Sequence, residues 1–157
     1  MKRLFLIPMF IGISMTIYGQ KAALHTSSGV KIFNGSNAFT NAHNAASSGD
    51  TIYLSGGTFY APTQIAKPLY IYGAGHYLDS TQATGKTIIN GDLIIKEHTD
   101  GLHIEGIQLT GTFRLYFNAQ DTVQNITIAY SRINGNIELG YGSNTNSNNF
   151  VLLRSVV

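Results

Sequence analysis

The sequence predicts an all-β solenoid, and three observations carry that prediction. First, nearly everything after Asp50 falls into short apolar–x–apolar triplets such as Ile52-Tyr53-Leu54 and Leu69-Tyr70-Ile71, punctuated by Gly, Asn, Asp and Ser. Second, the triplets recur: Leu102-His103-Ile104, Ile126-Thr127-Ile128 and Phe150-Val151-Leu152 follow one another at 24-residue intervals. Third, glycine recurs in register with the apolar residues on both sides of it. Leu109-Thr110-Gly111-Thr112-Phe113-Arg114-Leu115 maps at the same offset onto Ile133-Asn134-Gly135-Asn136-Ile137-Glu138-Leu139, and Ile89-Asn90-Gly91-Asp92-Leu93-Ile94-Ile95 is a copy 20 residues earlier. A turn of this length cannot bury its apolar side alone; turns stacked on one another make a continuous apolar column. A β-sandwich is the competing architecture, and Asn90-Gly91 and Asn134-Gly135 are hairpin signals that would suit it. A sandwich, however, has no need for glycine to recur in register with both flanking apolar pairs. A doubly wound sheet is excluded because no helical patterns separate the strands.

The elements follow in chain order. Met1-Lys2-Arg3 is a positive start, Leu4 to Ile17 is an uncharged and mostly apolar run, and Tyr18-Gly19-Gln20 offers a small residue before a cut. This is the pattern of a secretory signal peptide over 1–19. The alternative, an N-terminal membrane anchor, has an apolar run shorter than the roughly 20 residues that span a bilayer. Residues 20–29 read as a leader segment into the domain at 30–157. Ser36-Asn37 reads as a capping pair, with Ala38, Phe39, Ala42, Ala45 and Ala46 at helical spacing and Ser47-Ser48-Gly49 as the stop, giving a short cap helix near 37–47. Its narrow apolar face suits a lid over other structure. The repeats then predict Ile104, Ile128 and Leu152 on one inner wall, and Leu115 and Leu139 on another. Gly91, Gly111 and Gly135 mark a corner, with the turn-formers Asn90, Thr110 and Asn134 beside them. The phase places Phe150-Val151-Leu152 at the start of a fifth turn, so the expectation is a C-terminal end without a cap, open to self-association.

Composition narrows the function. Lys plus Arg number 10 and Asp plus Glu 8, and without Lys2 and Arg3 the signs balance. A neutral chain has no basic footprint for nucleic acid or an anionic membrane surface. Charged residues are 11% of the chain, far below the roughly 25% usual in soluble domains. The absence of cysteine excludes disulfide scaffolds, thiol nucleophiles and Cys-based zinc sites.

Two segments carry a family resemblance. Gly49-Asp50-Thr51-Ile52-Tyr53-Leu54 with Gly57-Thr58-Phe59-Tyr60, and Lys67-Pro68-Leu69-Tyr70-Ile71-Tyr72-Gly73-Ala74-Gly75, resemble the opening turns of right-handed parallel β-helix proteins of the pectate-lyase-like superfamily. That family places an N-terminal cap where the helix near 37–47 falls. The resemblance implies a right-handed, single-stranded parallel β-helix of about five turns with a short N-terminal capping helix. It says little about activity, since the family includes polysaccharide lyases, glycoside hydrolases, esterases, adhesins and inactive members.

The chemistry searched for is then specific. A two-carboxylate glycosidase needs its acids about 5–9.5 Å apart, hence at equivalent outward positions of neighbouring turns. Glu105 is followed at that position by Ala129 and Leu153, Asp92 by Thr112 and Asn136, and Glu138 is matched by Arg114. The Asn-Thr-Asp, Asp-Asp and Gly-His-Gly motifs of the polygalacturonase-type hydrolases are missing. Arg114 and Glu138 read as a ladder pair, while Arg132 and Arg154 fall at other phases of the repeat. His98, Asp100, His103 and Glu105 are residue types that ligate zinc, and His103 and Glu105 would share an outward face at alternate positions, but the set matches no ligand motif and His98 and Asp100 read as part of a surface loop joining Lys96 to Leu102. Gly85-Lys86-Thr87 resembles the end of a P-loop without its first glycine or its helix, and Gly73-Ala74-Gly75 is a turn. No catalytic residue, cofactor or metal site is expected. The remaining surface signal is aromatic: Tyr53, Tyr70 and Tyr72 alternate with inward aliphatics, with Tyr60, Tyr77 and Tyr116 as possible neighbours. Such rings suit stacking against sugars, although tyrosine's preference for strands would also place them there.

The expected function is a secreted module, extracellular or periplasmic, that binds polysaccharide or serves as a surface scaffold without catalysis. The alternative is the N-terminal part of a polysaccharide lyase or glycoside hydrolase whose catalytic turns lie beyond residue 157.

Overall fold

The alternation of aliphatic residues with polar or aromatic ones becomes strand wherever it occurs. The computed structural model describes residues 19–76, 85–116, 121–140 and 145–157; the expected signal sequence and Tyr77 lie outside them. The described residues are mostly strand. In chain order they form β1 (Lys21–Thr26), β2 (Gly29–Asn34), helix α1 (Ala38–Ala45), β3 (Thr51–Leu54), β4 (Gly57–Tyr60), β5 (Tyr70–Tyr72), β6 (Thr87–Asn90), β7 (Leu93–Ile95) and β8 (His103–Glu105). There follow β9 (Gln108–Leu109), β10 (Phe113–Leu115), β11 (Asp121–Gln124), β12 (Thr127–Ala129), β13 (Arg132–Ile133), β14 (Ile137–Glu138), β15 (Thr145–Asn148) and β16 (Val151–Leu153). No helix of the described residues is long and apolar enough to cross a membrane.

The strands sort into sheets by their place in the repeat. The largest sheet runs β16-β12-β8-β5-β3-β1-β2, the second β13-β9-β6-β4 and the third β14-β10-β7, while β11 and β15 pair separately. From β3 onward all pairings are parallel. From β5 onward the chain therefore passes through the first, second and third sheets in turn, and each pass lays a strand beside its predecessor. The register is the one the repeats predict: Ile128 pairs with Ile104 and Leu152, Leu109 with Ile89 and Ile133, and Phe113 with Leu93 and Ile137.

Ile52, Ile71, Ile104 and Ile128 fill one inner column; Phe59, Ile89, Leu109 and Ile133 fill a second; Leu93, Phe113, Ile95 and Leu115 fill the third. A shielded column of aliphatic and Phe side chains is the main source of stability, at about 1.5–3 kcal/mol for each fully buried side chain. Leu139 is only partly buried, and Leu152 departs from expectation with 39% of its surface exposed. Its strand, β16, is the outermost of its sheet and has β12 on one side only, so nothing among the described residues covers it. Val151, Leu153, Val156 and Val157 are exposed beside it.

Glycine sets how closely the repeats approach. Gly91 has a φ of 112° and makes the bend expected of it. Gly111 and Gly135 serve differently: a Cβ on Gly135 would stand 2.5 Å from the Gly111 carbonyl oxygen, and one on Gly111 the same distance from that of Gly91. These two are glycine because backbone meets backbone there, not because of a special dihedral.

The N-terminal region differs from the sequence reading. Residues 20–29, which the sequence presents as a leader segment, hold β1 and the turn into β2. Strand β1 pairs antiparallel with both β2 and β3, burying Ala22 and Leu24. Its apolar residues are small, which is why the alternation is faint in the sequence. Helix α1 closes over that end, burying Ala38, Phe39, Ala42 and His43; Ala45 is exposed instead of inward. Asn37 holds the N-cap position without a side-chain hydrogen bond, contrary to the expected capping pair. Its ψ of 2° is not the extended backbone that aims a cap side chain over the first turn. At the other end Lys67 Nζ donates to the carbonyls of His43 (2.9 Å) and Ala46 (2.7 Å), a cation placed at the negative helix terminus.

Two predictions follow from these contacts. Gly135→Ala should lower the unfolding free energy by about 1–3 kcal/mol, because only a backbone shift makes room for the methyl group. Gly140, with nothing within 4 Å of a built Cβ, is the control: Gly140→Ala should stay within about 0.5 kcal/mol in the same urea titration.

The second concerns histidine. Burial pushes the His43 pKa below its ordinary 6.5, opposed by Asn44 and assisted by Lys67; burial does the same to His76. The unfolded chain then takes up protons that the native state resists. Stability should be full above about pH 6.5 and decline as pH falls through the depressed native values. His43→Gln should flatten part of that decline in thermal unfolding measured across pH.

Candidate functional site

The outward positions of the largest sheet carry the chemistry of interest. Parallel register puts Thr51, Tyr70, His103 and Thr127 in one row across β3, β5, β8 and β12, and Tyr53, Tyr72, Glu105 and Ala129 in the next. Strand β1 extends the rows antiparallel, His25 facing Thr51 and Ala23 facing Tyr53. Each of these residues lies between inward neighbours such as Ile52, Ile71 and Ile104, so burial of the aliphatic column fixes where the rings point.

The rings meet in sequence. His25 stands edge-on to Tyr53 at 5.0 Å between centroids, and Tyr53 stacks on Tyr72 at 5.4 Å with planes 20° apart. His103 lies 5.4 Å from Tyr72 and 6.3 Å from Tyr70. All these separations fall in the range where aromatic pairs attract, by about 0.5–1.5 kcal/mol each. His103 Nε2 lies 3.1 Å from Glu105 Oε2, so the carboxylate sits at the edge of the ring cluster. Tyr53 and Tyr70 remain 46% and 45% exposed, which leaves ring surface for a ligand. The Tyr72 phenol is harder to ionise than usual: partial burial raises its pKa most, followed by Glu105 and the hydroxyls of Tyr53 and Tyr70.

The structure brings together all three of the tyrosines expected as binding residues. It separates the other candidates. Tyr60 ends β4 in the second sheet, and Tyr116 follows β10 with Lys96 Nζ over its ring at 4.3 Å. His103 and Glu105, which the sequence offers as alternating outward residues of zinc-ligating type, instead continue the tyrosine rows. Asp100 is engaged elsewhere, its Oδ1 accepting the Gln124 N–H at 2.8 Å. Among the described residues no group of three or more His, Cys, Asp and Glu is placed to hold a metal ion. His25 was invisible as a site residue because its strand was not recognised; the Ala22-Ala23-Leu24-His25 alternation was the available signal.

The remaining motifs have structural duties. Arg114 pairs in register with Glu138 and its Nε donates to that carboxylate, with Asp92 3.9 Å away on the other side. This half-exposed network contributes about 0–1 kcal/mol. Thr87, the end of the P-loop-like triplet, is buried, its hydroxyl donating to the Ser55 carbonyl at 2.9 Å and accepting the Ala74 N–H at 2.7 Å.

If Glu105 shares the face with the rings, Glu105→Gln should lower the pH at which Tyr72 ionises, without restoring the ordinary value, since the burial contribution persists. The chain has no Trp, so tyrosinate absorbance is unobstructed. The Tyr72 component is the difference between titrations with and without Tyr72→Phe, and an unchanged midpoint in Glu105→Gln would show that the two groups do not interact.

Comparison with protein-family models, with curated proteins and with solved structures finds no match to this chain.

Proposed function

We propose that this chain is a secreted, right-handed parallel β-helix module, similar to the pectate-lyase-like proteins, that binds polysaccharide without transforming it. The architectural part is supported by the repeated passage through three sheets in one order and by parallel pairing at each step. The strong preference of parallel crossovers for the right hand supports its handedness. The leader pattern at 1–19 supports export, to the periplasm or the cell exterior.

One observation carries the binding function: the stacked Tyr53 and Tyr72 rings, continued by Tyr70, His103 and His25 across a flat outer sheet face. Rings fixed by strand register present apolar faces with wet polar edges, and they lose little conformational entropy on binding. Such a surface fits the C–H faces of sugar rings, while the tyrosine hydroxyls and Glu105 accept or donate at their edges. Among the described residues of the face Glu105 has no carboxylate beside it in register, its partners being Tyr72 and Ala129.

Titration calorimetry with a panel of soluble oligosaccharides tests this. Binding to at least one glycan is expected, and Tyr53→Ala with Tyr72→Ala should weaken it about tenfold or more, equivalent to ~1.4 kcal/mol. Unchanged affinity in the folded double variant, or no glycan binding at all, would leave a scaffold role in its place.

A further inference from the structure

We infer that the aromatic face selects glycans carrying free amino groups, polymers of deacetylated hexosamine, over neutral and uronic-acid polymers. This rests on the binding function proposed above and adds the chemical class of the ligand.

The argument begins with charge. On the four strands β3, β5, β8 and β12 the single acid is Glu105, and none of their residues is Lys or Arg. Glu105 lies in register beside Tyr72, and His103 contacts both of them. An ammonium group entering here meets a carboxylate and the electron-rich faces of tyrosines together, both of which attract cations. A uronate meets the opposite: repulsion from Glu105 and no guanidinium fork to hold its carboxylate. Burial is the main reason that the Tyr72 pKa is raised, and Glu105 and the neighbouring phenols push it in the same direction.

Five of the cations that could serve an acidic ligand are engaged elsewhere. Arg114 bonds Glu138 on the third sheet, and Arg132 Nε bonds Asn134 Oδ1 at 3.0 Å on the second. Arg154 lies over the Tyr130 ring, Lys96 over Tyr116, and Lys67 binds the end of the helix. Lys21 and Lys31 belong to the same sheet but lie on β1 and β2, outside these four strands, and Lys86 immediately precedes β6 in the second sheet. The other titratable groups on the face are His25 and His103. Protonation of either works against an amine, and His103 is held beside the Glu105 carboxylate.

The test compares three probes of matched length by calorimetry at mildly acidic pH: chitosan oligosaccharides, their fully N-acetylated counterparts, and oligogalacturonates. The free-amine probe should bind about tenfold or more tighter than the N-acetylated one, with the galacturonates weakest. Glu105→Gln should abolish the preference, so that the free-amine and N-acetylated probes bind with equal affinity, and His103→Gln should preserve it. Added salt should reduce the preference in the unmodified protein, a second measurement that needs no variant. Galacturonate binding as tight as amine binding would overturn the inference. So would tyrosine-dependent binding of the acetylated and free-amine probes with equal affinity; in either case glycan binding itself would stand. Failure of all three probes and of every other glycan would instead remove the binding function.

Discussion

Parallel backbone pairing between equivalent strands is the constraint on which the other features depend. Once Ile104, Ile128 and their counterparts are hydrogen-bonded in register, every position of a repeat lies about 4.8 Å from the same position in the next. Inward positions then share one solvent-free column, and a polar residue there would have no water to bond. Outward positions become rows in which like chemistry accumulates. The same spacing forces glycine at 111 and 135, because the bends of neighbouring repeats meet backbone to backbone.

The rows explain how a weakly charged surface acquires a local character. One row collects Tyr53, Tyr72 and Glu105, and the row beside it Tyr70 and His103. Elsewhere the same rule makes Asn90 and Thr110 a hydrogen-bonded pair, joins Asn125 to Asn149, and sets Arg114 beside Glu138. These other rows satisfy their own polar groups. The aromatic rows instead leave ring faces exposed at Tyr53 and Tyr70.

The two ends of the large sheet are built differently. At the β2 end an antiparallel hairpin and helix α1 cover the column, with Phe39 inserted and Lys67 closing the helix C-terminus. His43 is buried in this cap together with Ala38, Phe39 and Ala42. Burial there makes His43 resist proton uptake, as it does His76 beside the Tyr130 carbonyl. At the β16 end Leu152 continues the aliphatic column with part of its surface in water.

The sequence by itself determined the repeat, its register from Ile89 onward, two of the inner columns and the outward tyrosines. Those features depend on side-chain periodicity, and periodicity is local. It also identified Gly91, Gly111 and Gly135, but only tertiary structure separated the glycine that bends from the two that yield to neighbouring backbone. Strand β1 was hidden because Ala22 and Ala23 give little contrast between its faces; its identity comes from pairing with β3, a contact distant in sequence. For the same reason His25 joined the aromatic face only in three dimensions. His103 and Glu105 could be read as alternating residues, yet whether they faced a metal, a loop or the tyrosines depended on which strand lay beside β8. The length of the step from Tyr70 to His103 breaks the 24-residue period, so no sequence spacing specified that neighbour. Hydrogen bonding between β5 and β8 decided it.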